Sequence, residues 1–146
     1  MQKRHLDRRQ YFSELAKTCR RYYIPYIQKV RKISSETKIL EIGCGEGGNL
    51  LPFAELGCPT IGIDLSLTQI DRAKLFFKEN GHNHPDGFIS ANFLDLDVPN
   101  SYSEKFDVIL LHDVIEHIEE PLKNEFISKL SMWLREDGLL FVGFPA

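Results

Sequence analysis

At 146 residues the chain fits one domain, and its 42% hydrophobic and 11% aromatic content suits a packed core and argues against disorder. No apolar run approaches the ~20 residues needed to cross a bilayer, and the start, MQKRHLDRRQYFSEL, carries charge without an apolar leader, which points to the cytoplasm. The formal net charge of −3 conceals an asymmetry: residues 1–33 hold ten Lys or Arg against Asp7 and Glu14, and the remainder holds eight against nineteen acids.

A basic arm on an acidic body suits either an anionic partner or docking on the body itself. The arm also contains Tyr11, Phe12, Leu15, Tyr22, Tyr23, Ile24, Tyr26 and Ile27, and that many apolar groups favour docking. Residues 10–32 read as helix, interrupted near Pro25. Lys38 to Ile42 reads as a short buried strand, and the glycine-rich GCGEGG follows it. Asn49 to Leu56 continues as a helix stopped at Gly57. Thr60 to Asp64 is a second strand, and Ser66 caps a helix running to about Asn80, where Gly81 ends it. Phe88 to Ala91 is a third, weak strand. Phe106 to Leu111 (FDVILL) has the apolar run of a central parallel strand. Residues 119–134 form a helix with Pro121 in its first turn, and Leu139 to Phe144 is a fifth strand.

Strands alternating with helices predict right-handed crossovers and an α/β, doubly wound, mainly parallel sheet covered by helices on both faces. Ligands then bind at the carboxyl ends of the strands, near the switch in strand order. Three sequence features fall there. The first is the loop Gly43-Cys44-Gly45-Glu46-Gly47-Gly48, whose glycines satisfy GxGxxG and keep a dinucleotide such as NAD in consideration. Glu41 and Glu46, however, put carboxylates where a pyrophosphate would need to sit, and would welcome a sulfonium or ammonium group instead. The second is Asp64, whose two oxygens suit a ribose diol, with Leu65 as an apolar face for the base. The third is HDVIEHI, residues 112–118. The cysteines Cys19, Cys44 and Cys58 have neither CxxC nor histidine at metal spacing, so buried thiols are expected. His82 and His84 lack a third metal ligand and read as surface residues.

Taken in order, EIGCGEGG, GIDLS, ANFLDLD and FDVILLHDVIEHIEEP resemble the class I methyltransferases that use S-adenosylmethionine (SAM). Within them, the likeness is to a small-molecule branch that includes the ubiquinone- and menaquinone-biosynthesis enzymes. It covers roughly residues 36–146 and implies a Rossmann-like SAM-binding domain there, with residues 1–35 as a helical basic arm or lid. It further implies that Gly43, Cys44 and Gly45 pass under the methionine part of the cofactor and that Glu41 favours its cationic end. Asp64 would bind the ribose beside Leu65. Asn92 and the amide of Phe93 would meet the adenine, although Asn92 stands where the family usually has Asp. Leu111 would offer a carbonyl to the ammonium. His112 and His117 would line the acceptor side, as a general base or as loop-bracing histidines. A small-molecule acceptor is implied.

RNA binding through Arg20-Arg21-Tyr22-Tyr23 stays open as a rival to methyl transfer, as does NAD-dependent oxidation. A lid over the acceptor predicts that deleting residues 1–32 abolishes transfer while some SAM affinity survives. The family sheet has two further strands after the fifth, so the resemblance also implies a chain lacking them, with an apolar edge prone to self-association.

Overall fold

The computed structural model describes residues 7–143. Its helices are α1 (Arg8–Thr18), α2 (Ile24–Gln28), α3 (Leu51–Glu55), α4 (Leu67–Glu79) and α5 (Glu120–Trp133). Its strands are β1 (Ile39–Ile42), β2 (Thr60–Asp64), β3 (Phe88–Ser90), β4 (Phe106–His112) and β5 (Leu134–Gly143). All pairings are parallel, in the order β3-β2-β1-β4-β5. The order reverses between β1 and β4, which opens a crevice beyond their carboxyl ends.

Successive strand residues face opposite sides, and the sheet therefore builds two cores. Ile39, Val108 and Leu110 join the core beneath the arm, α3 and α4, whereas Leu40, Ile42, Ile109 and Leu111 join the core beneath α5. Glu41 continues the Ile39 face, so its carboxyl is driven under the arm and is almost fully buried.

The arm docks on its own body. Phe12, Ala16, Cys19, Ile24 and Ile27 are buried, and the Phe12 ring meets those of Phe76 and Phe77 edge-on at 5.3 and 6.4 Å. Burying side chains of that size contributes roughly 1.5–3 kcal/mol each for the larger ones. The charge asymmetry resolves in the same contact. Arg8 pairs with Glu46 (2.7 Å), Arg9 with Glu79 (3.0 Å), Arg20 with Glu55 (2.8 Å) and Arg31 with Asp107 (2.6 Å).

Most element ends lie within two residues of the sequence expectation, and two departures have a clear physical cause. The break in the arm helix precedes Pro25. Pro25 has no N–H and crowds the carbonyl four residues back, so the helix widens into a π turn over Cys19–Tyr23, with the Ile24 amide donating to the Cys19 carbonyl. The fifth strand starts at Leu134 rather than Leu139, because Leu134 pairs with Phe106 across a register shift that absorbs the polar stretch Arg135–Gly138. Phe144, its expected end, lies outside the described residues. No helix among the described residues is long and apolar enough to cross a membrane.

Candidate functional site

The crevice has two lobes. One, about 280 Å³, is walled by Ile63, Leu65, Ala91, Asn92, Phe93 and Ile118 among others. The second, about 490 Å³, is walled by Glu41, Gly45, Asn49, Arg8, Tyr11 and His112 among others. Gly43, Asp64, Asp113 and His117 border both, so the two lobes form one elongated site of the size that holds a drug-sized ligand.

The turn after β1 is built around three consecutive amides. Those of Gly43 and Cys44 donate to the Ile63 carbonyl (2.7 and 3.1 Å), and that of Gly45 donates to an Asp64 carboxylate oxygen (2.8 Å). The other Asp64 oxygen accepts from the Ser66 amide (2.9 Å). Gly43 is required twice over: its φ is +74°, and a Cβ would lie 2.7 Å from Val114 Cγ2. Gly45 has φ +54°, but a Cβ there would meet nothing within 4 Å, because the position opens onto the second lobe. A dinucleotide cradle relies on free amides aimed at the pyrophosphate. Here the three amides leaving β1 already have protein acceptors, and the turn is tied to β2 instead.

This changes the electrostatic argument drawn from the sequence. Glu46 does not face the ligand space as a bare carboxylate: Arg8 grips it through Nε (3.0 Å) and Nη2 (2.7 Å), with Arg72 at 3.6 Å. Glu41 accepts one bond from Asn49 Nδ2 (3.1 Å), and burial pushes its carboxyl up to about 8, against that bond and with a smaller upward push from Asp64. Three buried oxygens in the wall of the second lobe have no hydrogen-bond partner: Glu41 Oε1, Asn49 Oδ1 and Asp113 Oδ1. These three oxygens lie among four carboxyl groups, Glu41, Glu46, Asp64 and Asp113, in the same wall.

The remaining candidates are placed as follows. The Asn92 side chain accepts from the Leu94 amide (3.0 Å) and caps a short 3₁₀ turn, while its residue lines the first lobe. Phe93 is buried against the rings of Phe126 and Trp133 (5.4 and 5.0 Å), which leaves its backbone as the part able to meet a ligand. Leu65 is 75% exposed at the rim. The Cys44 thiol is packed behind the turn, 2.7 Å from where a Gly62 Cβ would stand, and burial raises its pKa well above a free thiol. Its side chain is part of the packing of the turn. The Leu111 side chain is buried in the α5-side core, so only its backbone is available to a ligand; it lines a small cleft with Glu41, Asn49 and His112, and His112, the last residue of β4, reaches the second lobe.

His112 stands beside Tyr23 (rings 6.2 Å apart) and over Gly143, where a Cβ would come within 2.5 Å of its Nδ1. Its Nε2 is 3.9 Å from Asp113 Oδ2, too long for a hydrogen bond. The His117 side chain is 76% exposed and 3.7 Å from Glu116. Sequence reasoning missed three contributors. Asn49 had no motif to mark it. Asp113 has φ +57°, the one positive-φ residue other than glycine among the described residues, and such strain concentrates at ligand sites. Arg8 was counted only as part of a charged arm. The arm itself is not confined to the acceptor side, since Arg8, Tyr11 and Leu15 wall the second lobe directly.

With that geometry in place, comparison with known proteins is decisive for the family. The model of a methyltransferase domain matches residues 8–146. The chain belongs to the methyltransferase domain family. A ubiquinone biosynthesis O-methyltransferase from Bartonella tribocorum is 37% identical over 105 residues, 72% of this chain and 40% of that protein. An uncharacterized protein, RP028, from Rickettsia prowazekii is 34% identical over 84% of this chain and 51% of its own length. The chain thus spans about half the length, or less, of these curated relatives. Among solved structures, PKMT2 from Rickettsia typhi in complex with AdoHcy superposes with a TM-score of 0.67 at 31% identity, over 81% of this chain and 24% of that one. The five-stranded parallel sheet and this superposition together give the chain a class I methyltransferase, Rossmann-like fold.

Proposed function

We propose that this chain binds SAM and forms the cofactor-holding part of an enzyme that transfers a methyl group to a small molecule. The observation that carries the reading is the second lobe, where Glu41 Oε1, Asn49 Oδ1 and Asp113 Oδ1 are buried polar atoms without a protein partner, beside a glycine turn open at Gly45. Unpaired buried polar groups cost roughly 1–3 kcal/mol each; a ligand's ammonium would donate to these oxygens, and a sulfonium would be attracted to the carboxylates without donating. The residues present therefore fit the methionine end of SAM. The ubiquinone-biosynthesis O-methyltransferase and the AdoHcy-bound PKMT2 support the same reading by likeness.

In this assignment the adenosine occupies the first lobe. Each Asp64 oxygen keeps a lone pair beyond the amide it holds, enough for a ribose diol. Leu65 covers the base, and Asn92 with the Phe93 backbone borders its edge. Glu41 and Asn49 take the charged end, and the end of β4 at Leu111 and His112 offers a backbone carbonyl to its ammonium. Bound SAM supplies an electrophilic methyl on sulfur. The chain contributes by orienting that methyl at near-attack distance and excluding water. His112, at the strand end between the second lobe and Tyr23, is positioned to take a proton from a hydroxyl acceptor, and His117 lies at the exposed rim.

Calorimetry and thermal shift with S-adenosylhomocysteine, SAM and NAD test the proposal. S-adenosylhomocysteine is expected to stabilise the fold by about 2.7 kcal/mol at a hundredfold excess over its dissociation constant, and NAD to leave it unchanged. Stabilisation by NAD, or none by either adenosyl ligand, would refute it.

A further inference from the structure

The two lobes differ in how they can recognise a ligand. Gly43, Asp64, Asp113 and His117 border both and so face the middle of the crevice. Beyond them, the far end of the first lobe is walled by apolar side chains such as Ile63, Leu65 and Ile118, and among the described residues there Asn92 is the one polar side chain. Its amide has a fixed orientation. Oδ1 accepts from the Leu94 amide (3.0 Å), and of the two ends of a primary amide only the oxygen can accept. What remains for a ligand is the nitrogen, which donates and does not accept. The backbone adds a donor of the same kind, because the Phe93 N–H opens the 3₁₀ turn Phe93–Asp95 and has no acceptor within it. The turn is braced from α5: Lys129 Nζ donates to the Leu94 carbonyl (2.8 Å) and stands 5.5 Å over the Phe93 ring.

We infer that Asn92 reads the purine of the ligand by donating to it, so that a base with a 6-keto group binds at least as well as one with a 6-amino group. The inference rests on reading this crevice as a SAM site and deepens it. At position 6 adenine carries an amine, itself a donor, beside the acceptor N7, whereas a 6-keto purine presents two adjacent acceptors, O6 and N7. The two donors of the wall, Asn92 Nδ2 and the Phe93 N–H, match the keto edge at both points and the amino edge at one. A carboxylate at this position would reverse the preference. One of its oxygens would still cap the turn, while the other would accept from a 6-amine and repel a keto oxygen. The exchange leaves Asp64 and the second lobe as they are, so the rest of the ligand keeps its contacts.

The test compares S-adenosylhomocysteine with S-inosylhomocysteine by calorimetry. The inosyl ligand carries a 6-keto group and a protonated N1 where the adenosyl ligand has a 6-amino group and a bare N1. Wild type is expected to bind the inosyl ligand within about threefold of the adenosyl ligand, or more tightly by up to roughly tenfold, the range for a neutral hydrogen bond. Asn92→Asp is expected to favour the adenosyl ligand by roughly tenfold to a hundredfold, the range for a hydrogen bond to a charged group. Each result is a ratio of two ligands on one protein, so a general loosening of the turn cancels, and the wild-type ratio decides the matter even if the variant does not fold. A wild-type preference for the adenosyl ligand above about threefold, or a folded Asn92→Asp with the wild-type ratio, overturns the inference. If wild type binds neither ligand, the SAM reading itself falls, which is a different result from either ratio.

Discussion

Glu41 offers a quantitative check on the chemistry of the second lobe. Its carboxyl is buried on the arm-facing side of β1 with Asn49 as a donor, and burial raises it from an ordinary 4.5 to about 8. Between those values the folded chain retains a proton that the unfolded chain has lost. Stability from this group is therefore fully present below about 4.5, falls by about 1.4 kcal/mol per pH unit through the interval, and levels off above about 8, a total of about 5 kcal/mol. Glu41→Gln replaces the neutral acid with a neutral amide of the same shape. The variant should match wild type near pH 5 and exceed it by several kcal/mol at pH 9, measured by urea denaturation across the range. A cation bound beside Glu41 favours the ionised form, so ligand binding should release a proton. Affinity for SAM should then rise with pH up to about 8 in wild type, with calorimetry in buffers of different ionisation heat counting the proton. Parallel stability profiles for the two proteins, or binding without proton release at pH 7.5, would refute the reasoning.

Three further outcomes follow from the packing. Asp107, 5% exposed, accepts from Arg31 Nη2 (2.6 Å), Arg135 Nη1 (2.9 Å) and the Lys38 amide (2.8 Å), so Asp107→Ala strands two arginines and should cost about 3–5 kcal/mol by chemical denaturation. A loss below ~1 kcal/mol would show that the pairs are individually weak. Gly43→Ala meets Val114 and a positive φ together and should cost about 1–3 kcal/mol with loss of ligand binding, whereas Gly45→Ala adds its Cβ to open space and should lose affinity with a smaller effect on stability; thermal shift with and without S-adenosylhomocysteine separates the two. Deleting residues 1–32 removes Phe12, Ala16, Cys19, Ile24 and Ile27 from the core and Arg8 from the second lobe, so cooperative unfolding and SAM binding should disappear together, contrary to a simple lid.

The parts of the molecule governed by local pattern were readable in the sequence. β2 begins and ends where Thr60 and Asp64 predict, and Ser66 caps α4 by accepting from the Gln69 amide at 3.2 Å. The glycine turn and Asp64 were found because backbone geometry and ribose recognition impose short-range signatures. What escaped depends on contacts distant in sequence. The start of β5 is set by pairing with Phe106, against its own polar composition. The fate of Glu46 is decided by Arg8, thirty-eight residues away, and no pattern around either residue reveals the pair.

The polar conflicts in this fold are not spread evenly. At the amino end of the sheet, Asp107 is satisfied by three donors and joins the arm, β1, β4 and β5. At the carboxyl end, within one crevice, lie a buried glutamic acid with an orphaned oxygen, an asparagine oxygen without a donor, and an aspartate held at positive φ. A chain selected for stability alone would replace Glu41 with a residue like its strand neighbours Leu40 and Ile42, which are fully buried at no such cost. Arg31 Nε and Trp133 Nε1 are also without a partner elsewhere, but three of the five such atoms among the described residues gather in this crevice, and such clustering is expected where a ligand completes the structure. The arm strengthens the point. Its apolar face closes the core, and its Arg8 brings to the acidic lobe a cation that the sheet residues lining that lobe do not supply.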